Sequence, residues 1–359
     1  MTTIADPGAA VIYGGVDTHA DVHVAAAVSP TGKVLGTGSF PADRDGFAQL
    51  LGWLRGFGQV ARVGVEGTGS YGAGLARSLA AQQVTVAEVN RPDRARRRRH
   101  GKSGPVDAVA AAMAALNGDE TAVPKAGTGA AESIRLLKVA RAGAVKARTQ
   151  AGNQLRDLTV TAPAALREQL APLTTRARVT AAAAFTPGGD LADPAHGARA
   201  AMAAVARRWQ DLDTEITGID TALAGLVARA APAAFLAAPG IGTQSAATLI
   251  ATCGDNPARI STEAGFAALA GVSPVDCSSG KQQHHRLNRG GDRQANSAIW
   301  RIVMTRLRTD PRTQAYYDKR TADGKTRKEI IRALKRYVAR EIYKTLIRPA
   351  HNHPEPSTA

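Results

Sequence analysis

Up to about residue 90, apolar residues come in short blocks; beyond residue 130 they follow a helical period. Residues 11–16, 22–28, 34–40, 62–66 and 84–89 are β-rich runs bounded by glycine or polar turns and are predicted to be strands. Between the third and fourth, Phe47, Leu50, Leu51 and Leu54 recur at helical spacing, and a second helix is predicted over residues 73–81. Farther on, Met202, Val205, Trp209, Leu212, Ile216, Ile219, Leu223 and Leu226 are spaced alternately by three and four, a heptad seam. Ile134, Leu137, Ala144, Ala151, Leu155 and Leu158 offer it an upstream partner, and Pro163, Pro172 and Pro187-Gly188-Gly189 break the stretch between. The pattern predicts a helical hairpin or coiled-coil arm that either packs on itself or dimerises.

The expected class is therefore α/β followed by α. Three short-linked strands, then strand, helix and strand, is the order of a ribonuclease H type of fold, placed in residues 1–125. The helical arm is assigned to 126–232, a mostly helical C-terminal domain to 233–348 and a disordered tail to 349–359. The C-terminal domain opens with Pro239-Gly240-Ile241-Gly242 before a small-residue helix, which resembles a helix-hairpin-helix. In such a turn, glycines such as Gly240 and Gly242 let backbone N–H groups approach a phosphate. A final helix is predicted over 325–348. Lys328, Arg332, Arg336, Arg340, Lys344 and Arg348 form an every-fourth stripe on it, with Ile331, Leu334, Val338 and Ile342 towards another face.

Charge sharpens this reading. The 359 residues carry 46 Lys+Arg against 30 Asp+Glu, a net +16, which points to a polyanion and most simply to nucleic acid. Aromatics make up only 4%, so an aromatic platform is not expected to be the main binding mode. The two cysteines, Cys253 and Cys277, argue neither a zinc site nor a disulfide framework and fit a reducing compartment. No signal peptide and no membrane-spanning run is seen, so the expectation is a cytoplasmic prokaryotic protein that acts at the nucleoid.

Three acids fall on the predicted elements. Asp17 follows the run 11–16, Glu66 ends the strand 62–66, and Asp107 lies in Val106-Asp107-Ala108-Val109-Ala110-Ala111, the start of a helix. Acids from two strands and a helix are what a metal-dependent phosphodiester site needs. Before the Asp107 helix comes a basic run over 91–102. Charge runs are usually solvated faces, but this position favours phosphate contacts by Arg96, Arg97, Arg98, Arg99 and Lys102, which would position a backbone without reading sequence. A second centre is Ser278-Ser279-Gly280, set among Lys281, Arg286, Arg289 and Arg293. A serine attacking phosphorus needs deprotonation and a stabilised phosphorane, and cations supply the second. Alone, the tripeptide is far more often a plain loop, and His284-His285 is weak evidence for a metal site or a general base.

Several stretches together carry a family resemblance. They are Gly15-Val16-Asp17-Thr18-His19, Val65-Glu66-Gly67-Thr68-Gly69-Ser70-Tyr71-Gly72, Val89-Asn90, Lys102-Ser103 through Asp107-Ala108, Pro239-Gly240-Ile241-Gly242, and Gly271-Val272-Ser273-Pro274 followed by Ser278-Ser279-Gly280. In this order, around a helical insertion, they resemble the transposases of insertion sequence family 110, DEDD-plus-serine recombinases guided by a bridge RNA. The resemblance implies a RuvC-like N-terminal domain, a coiled-coil arm and a C-terminal domain with a nucleophilic serine. It implies that Asp17, Glu66 and Asp107 hold Mg2+. It also implies that Ser279, with Ser278 as the fallback, attacks DNA to form a phosphoserine link. A non-coding bridge RNA would pair with double-stranded donor and target DNA, and homodimers would pair into tetramers. One family acid is missing: Gly104 stands in its place in Lys102-Ser103-Gly104-Pro105-Val106-Asp107. Two alternatives stay open. One is a RuvC-like junction nuclease that uses metal-activated water and does not need Ser279. The other is a catalytically impaired nucleic-acid-binding remnant, for which Gly104 is the best argument.

Overall fold

The computed structural model describes residues 10–89, 103–118, 121–186, 188–280, 285–286 and 288–349. They fall into two units, Met1–Gly129 with Gly254–Arg259, and Ala130–Cys253 with Ile260–Ala359.

In the first unit, β1 (Val11–Thr18), β2 (Val22–Val28), β3 (Val34–Pro41), β4 (Gln59–Glu66), β5 (Val86–Val89) and β6 (Thr121–Ala122) form one sheet, ordered β3-β2-β1-β4-β5-β6. β1, β2 and β3 are successively antiparallel, β4 and β5 continue parallel to β1, and β6 is antiparallel to β5. This mixed sheet is consistent with a ribonuclease H-like domain. β6 is a two-residue pairing without a periodic signal, and the sequence pattern missed it. β5 starts at Val86 rather than at the expected residue 84. The helix α1 (Arg44–Arg55) is capped by Asp43, which accepts from the Gly46 N–H at 2.8 Å. It buries Leu50, Leu51 and Leu54 against Ile12, Val16, Ala25, Ala27, Val63 and Val65. α2 (Ala73–Ala81) adds Leu75 and Leu79 to the same core.

The helix α3 (Gly104–Asn117) covers the other face. Its Ala108 and Ala112 cluster with Ala26 and Val28, which alternate along β2 with the residues that face α1. The approach is closer than side chains allow. A Cβ on Gly15 would stand 2.0 Å from the Ala112 nitrogen and 2.3 Å from the Ala108 carbonyl oxygen. A Cβ on Gly64 would stand 2.3 Å from the Ala111 carbonyl oxygen. Gly15 and Gly64 are direct partners in the β1–β4 ladder, and they leave a flat patch of backbone on which the alanine stripe of α3 rests.

Residues Gly254–Arg259 also belong to this unit. Asn256 donates to the Pro124 carbonyl at 3.0 Å and accepts from the Ala126 N–H at 3.0 Å, and Arg259 donates to the Val123 carbonyl at 3.4 Å.

In the second unit, α4 (Ala130–Thr161) and α7 (Pro194–Ala230) pack antiparallel, joined through α5 (Ala164–Leu170) and α6 (Thr175–Ala183). Opposite polarity is read from the cross-links. Arg141 holds Asp220 by two bonds, 2.5 and 3.0 Å, and Arg148 holds Asp213, so the partners step down one helix as they step up the other. Ile134, Ala144, Ala151 and Leu155 are buried on α4, and Met202, Ile216 and Leu223 on α7. The arm therefore packs on itself. Next come α8 (Ala233–Leu236), α9 (Thr243–Cys253), α10 (Glu263–Leu269), a ladder of β7 (Val275–Asp276) with β8 (His285–Arg286), α11 (Arg293–Thr309), α12 (Pro311–Ala322) and α13 (Arg327–Ile342). Phe235, Phe266, Ile299, Ile302, Val303 and Leu334 are the centre of its core. The last helix starts two residues later than the expected 325, at Arg327, where a Thr326–Glu329 capping box sets it; after Ile342 it widens into a π-helical turn, Tyr343–Ile347, and helical backbone continues past the expected end at 348. No helix among the described residues is long and apolar enough to cross a membrane.

The α3 contact is testable by stability. Gly15→Ala is expected to lower the urea midpoint, by a shift that corresponds to at least the ~1–3 kcal/mol of stability lost in an ordinary overpacked core, because the methyl meets backbone. Gly52→Ala, on α1 with open space around its Cβ, is expected to be neutral or stabilising.

Candidate active site and nucleic-acid interface

The close packing of α3 also places the acids. Side chains alternate along strands, so Asp17 shares a face with Gly15, and Glu66 with Gly64. The register Gly15↔Gly64, Val16↔Val65 carries Asp17 and Glu66 to neighbouring positions, about 4.8 Å apart across a ladder. Asp107 lies in the first turn of α3, the helix seated on that face, with its N–H bonded to the Ser103 carbonyl at 3.1 Å. Asp17, Glu66 and Asp107 are 7%, 8% and 8% exposed. Thr18 donates to the Glu66 carbonyl at 2.9 Å and ties the two strand ends together.

As donors, three buried carboxylates suit a hard divalent cation, which also offsets their mutual repulsion. By type they suit such an ion. Among the described residues, however, no three His, Cys, Asp or Glu side chains are drawn together as a finished metal cluster. Gly104 begins α3 beside the same site. A Cβ there would lie 2.9 Å from Val24 Cγ2, and Val24 is the ladder partner of Asp17.

Two histidines near the acids had no role in the sequence reading. His19 Nε2 lies 3.0 Å from Asp17 Oδ2, and their i,i+2 spacing at a strand end was the available signal. His23 is fully buried and stacked on Phe47 at 5.5 Å, and its ring nitrogens have no hydrogen-bond partner among the described residues. Burial, and then the nearby His19, hold its pKa below the ordinary imidazole value against the opposing pull of Asp17.

In the second unit, Ser278 and Ser279 extend from the β7–β8 ladder, paired Val275↔Arg286 and Asp276↔His285. The base of this loop is pinned. A Cβ on Gly291 would stand 2.3 Å from the Gly271 nitrogen, and the Asp292 N–H donates to the Leu269 carbonyl at 2.6 Å. Asn296 donates to the Ala270 and Gly271 carbonyls at 3.1 and 2.8 Å and accepts from Lys335 Nζ at 2.8 Å. Burial lowers the Lys335 pKa, and Arg332 adds to the effect.

The two serines differ. The Ser278 hydroxyl and N–H both donate to Asp276 Oδ1, at 2.5 and 2.8 Å, and the hydroxyl bond keeps the Asp276 carboxyl below its ordinary pKa. Ser279 is exposed, and among the described residues no hydrogen bond fixes its hydroxyl. Asp276 was the residue that sequence reasoning missed; an aspartate two places before a serine is an Asx-turn signal.

The basic positions separate into groups. Arg96, Arg97, Arg98, Arg99, Lys102 and Lys281 lie outside the described residues. Arg286, Arg332 and Arg336 converge on a cavity of about 280 Å³ that also meets Ser273, His285 and Lys335. Arg289 lines a neighbouring cavity with Arg293. Arg336 and Arg340 bind Glu263 at 2.5 and 3.2 Å, so part of the stripe is neutralised by an acid on α10. Lys328 is exposed on α13. Gly240 and Gly242 line a larger cavity of about 1050 Å³. Gly240 has φ +75°, which favours glycine, and its turn is clamped by buried Arg306. Arg306 donates to the Pro239 carbonyl at 2.7 Å and to both Glu341 oxygens at 2.7 and 2.9 Å.

Two family models match this chain. A transposase model of the DEDD, IS110 type covers residues 14–161, which include all three acids. A model for transposases of the IS116/IS110/IS902 family covers residues 233–318, which include the glycine turn and both serines. Among curated proteins, an uncharacterised 43.6 kDa protein of insertion element IS110 from Streptomyces coelicolor is 36% identical over 99 residues, 27% of this chain and 24% of the relative. An uncharacterised 42 kDa protein of insertion element IS900 from Mycobacterium paratuberculosis is 29% identical over 160 residues, 44% of this chain and 40% of the relative. The chain thus matches between about a quarter and two-fifths of these relatives' lengths. With its acid-bearing sheet and its serine-bearing unit each matched in turn, the chain belongs to the IS110 family of transposases.

Proposed function

We propose that this protein is a DNA transposase that excises and inserts a mobile element by serine attack on DNA phosphodiesters. The observation that carries the reading is the delivery of Asp17, Glu66 and Asp107 to one end of the sheet by the Gly15/Gly64–α3 contact. These acids would hold a divalent ion, Mg2+, which when bound neutralises phosphate charge. Ser279 is the nucleophile and Ser278 the alternative. Among the described residues the Ser279 hydroxyl has no hydrogen-bond partner, which supports that order, since the Ser278 hydroxyl is engaged by Asp276. Attack joins the serine oxygen to phosphorus and breaks one phosphorus–oxygen bond of the backbone. The serine proton goes to a base and the departing sugar oxygen takes one up, so the exchange conserves phosphodiester bonds and needs no external energy source.

The remaining parts have assigned tasks. The 1–125 domain acts as the RuvC-like half, the arm at 126–232 as a coiled-coil assembly element, and 233–348 as the serine domain. The Pro239–Gly242 turn works as a helix-hairpin-helix phosphate contact, and the basic residues around the serine loop and on α13 hold the DNA backbone. A bridge RNA that pairs with donor and target supplies sequence choice, as in other guided systems where base pairing reads sequence and protein reads shape. Homodimers assemble into tetramers.

Gly104 favours a second reading, an impaired nucleic-acid-binding remnant, because glycine offers no ligand where the family pattern has an acid.

Two experiments test these assignments. Wild-type protein given Mg2+, candidate RNA and labelled donor and target DNA is expected to form a covalent protein–DNA adduct on denaturing gels, and Ser279→Ala to abolish it. Cleavage without adduct supports a junction nuclease, and binding alone supports the remnant. Gly104→Asp is expected to raise Mg2+-dependent cleavage, by roughly tenfold once Val24→Ala makes room, the scale on which partners around a metal act. An unchanged rate in the paired variant removes any metal role for position 104.

A further inference from the structure

Trp300 is a large aromatic side chain left 45% exposed in the second unit. It stands on α11 as a wall common to two cavities, the one of about 1050 Å³ at the glycine turn and one of about 430 Å³ beside Gly271 and Gly291. Arg301, Arg308 and Arg327 line the first, and Arg289 and Arg293 the second; among the described residues no acidic side chain lines either. Residues 293, 297, 300, 304 and 308 recur at helical spacing on the face of α11 that borders both cavities, a face about 22 Å long at 1.5 Å per residue. The larger cavity adds an apolar floor from Ile241, Met304 and Leu307.

We propose that this trough binds an unpaired stretch of nucleic acid, with Trp300 stacked on one exposed base and the flanking arginines on its phosphates. It rests on the transposase reading and deepens it by naming a strand-separated substrate at the serine-bearing unit.

The chemistry selects this occupant. An indole face stacks on any base face, but paired bases are already stacked within a duplex, so a free face requires an unpaired nucleotide. Five arginines without an acid match a phosphate backbone. A second copy of this chain, at net +16, would bring more cations against them. The low aromatic content remains true, and the inference is accordingly one stacking position rather than a platform.

The test measures binding of the full-length chain to a labelled single-stranded DNA, a single-stranded RNA of matching sequence and a DNA duplex of equal length. Trp300→Ala is expected to weaken single-strand binding about tenfold, within the range for loss of one stacked base, with duplex binding unchanged. Trp300→Phe is expected to bind within about threefold of wild type. Single strands are expected to quench part of the wild-type tryptophan emission, and that fraction is expected to vanish in Trp300→Phe, which keeps the test valid should the alanine variant fold poorly. The strand type that shows the larger Trp300 dependence identifies the ligand as DNA or RNA.

Unchanged single-strand affinity in Trp300→Ala overturns the proposal, as does equal weakening for single strands and duplex. Loss of self-association with strand binding intact overturns it too, and assigns the face to a second copy. If wild type binds none of the three nucleic acids, the transposase reading itself fails. If it binds DNA and forms the serine adduct while Trp300 is indifferent, only this inference fails.

Discussion

The first unit depends on a backbone-to-backbone contact. Gly15 and Gly64 face each other across β1 and β4, and α3 rests on them with Ala108, Ala111 and Ala112. Any side chain at either glycine would occupy the space of the helix backbone. Strand periodicity then does the rest. Two residues beyond each glycine, on the same face, stand Asp17 and Glu66, and the first turn of the helix carries Asp107. The spacing that packs the domain is thus the spacing that gathers its acids, and binding a hard cation there would stabilise both.

The second unit solves a different problem, holding glycine-rich loops in place without a sheet. Arg306, which is buried, donates from each of its three guanidinium nitrogens to the Pro239 carbonyl and Glu341 and so fastens the glycine turn to α11 and α13. Lys335 reaches Asn296, whose amide grips two carbonyls at the base of the serine loop. Buried cations of this kind are costly to leave unpaired, so each loop is held by the penalty for releasing it. The result is a firmly held base under an exposed serine loop.

Much of this was legible in residues alone, for identifiable reasons. The strands showed as short β-rich runs, β1, β2 and β4 being buried on both faces over their later residues, and α4 and α7 because each carries a long apolar stripe. Asp17, Glu66 and Asp107 stood out as acids on elements that an α/β order brings together. The glycine contact was also written there, since a glycine inside a strand marks close approach of another backbone, but its partner helix lies more than forty residues from Gly64. β6 and the β7–β8 ladder escaped because two-residue strands have no period to detect. The cationic stripe on α13 was read from spacing that cannot reveal Glu263, which is far away in sequence and engages Arg336 and Arg340. The burial of His23 was invisible for a similar reason, because its stacking partner Phe47 comes from α1.

The central claim is that the acids on β1 and α3 act as one unit on one ion. The direct measurement is Mg2+-dependent DNA cleavage by Asp17→Asn, Asp107→Asn and the double variant, at a series of Mg2+ concentrations. Groups that share one task are strongly non-additive. The account predicts that each single change removes nearly all cleavage and that the double variant falls no further. Losses that multiply, or an Asp107→Asn protein that cleaves like wild type, would contradict it.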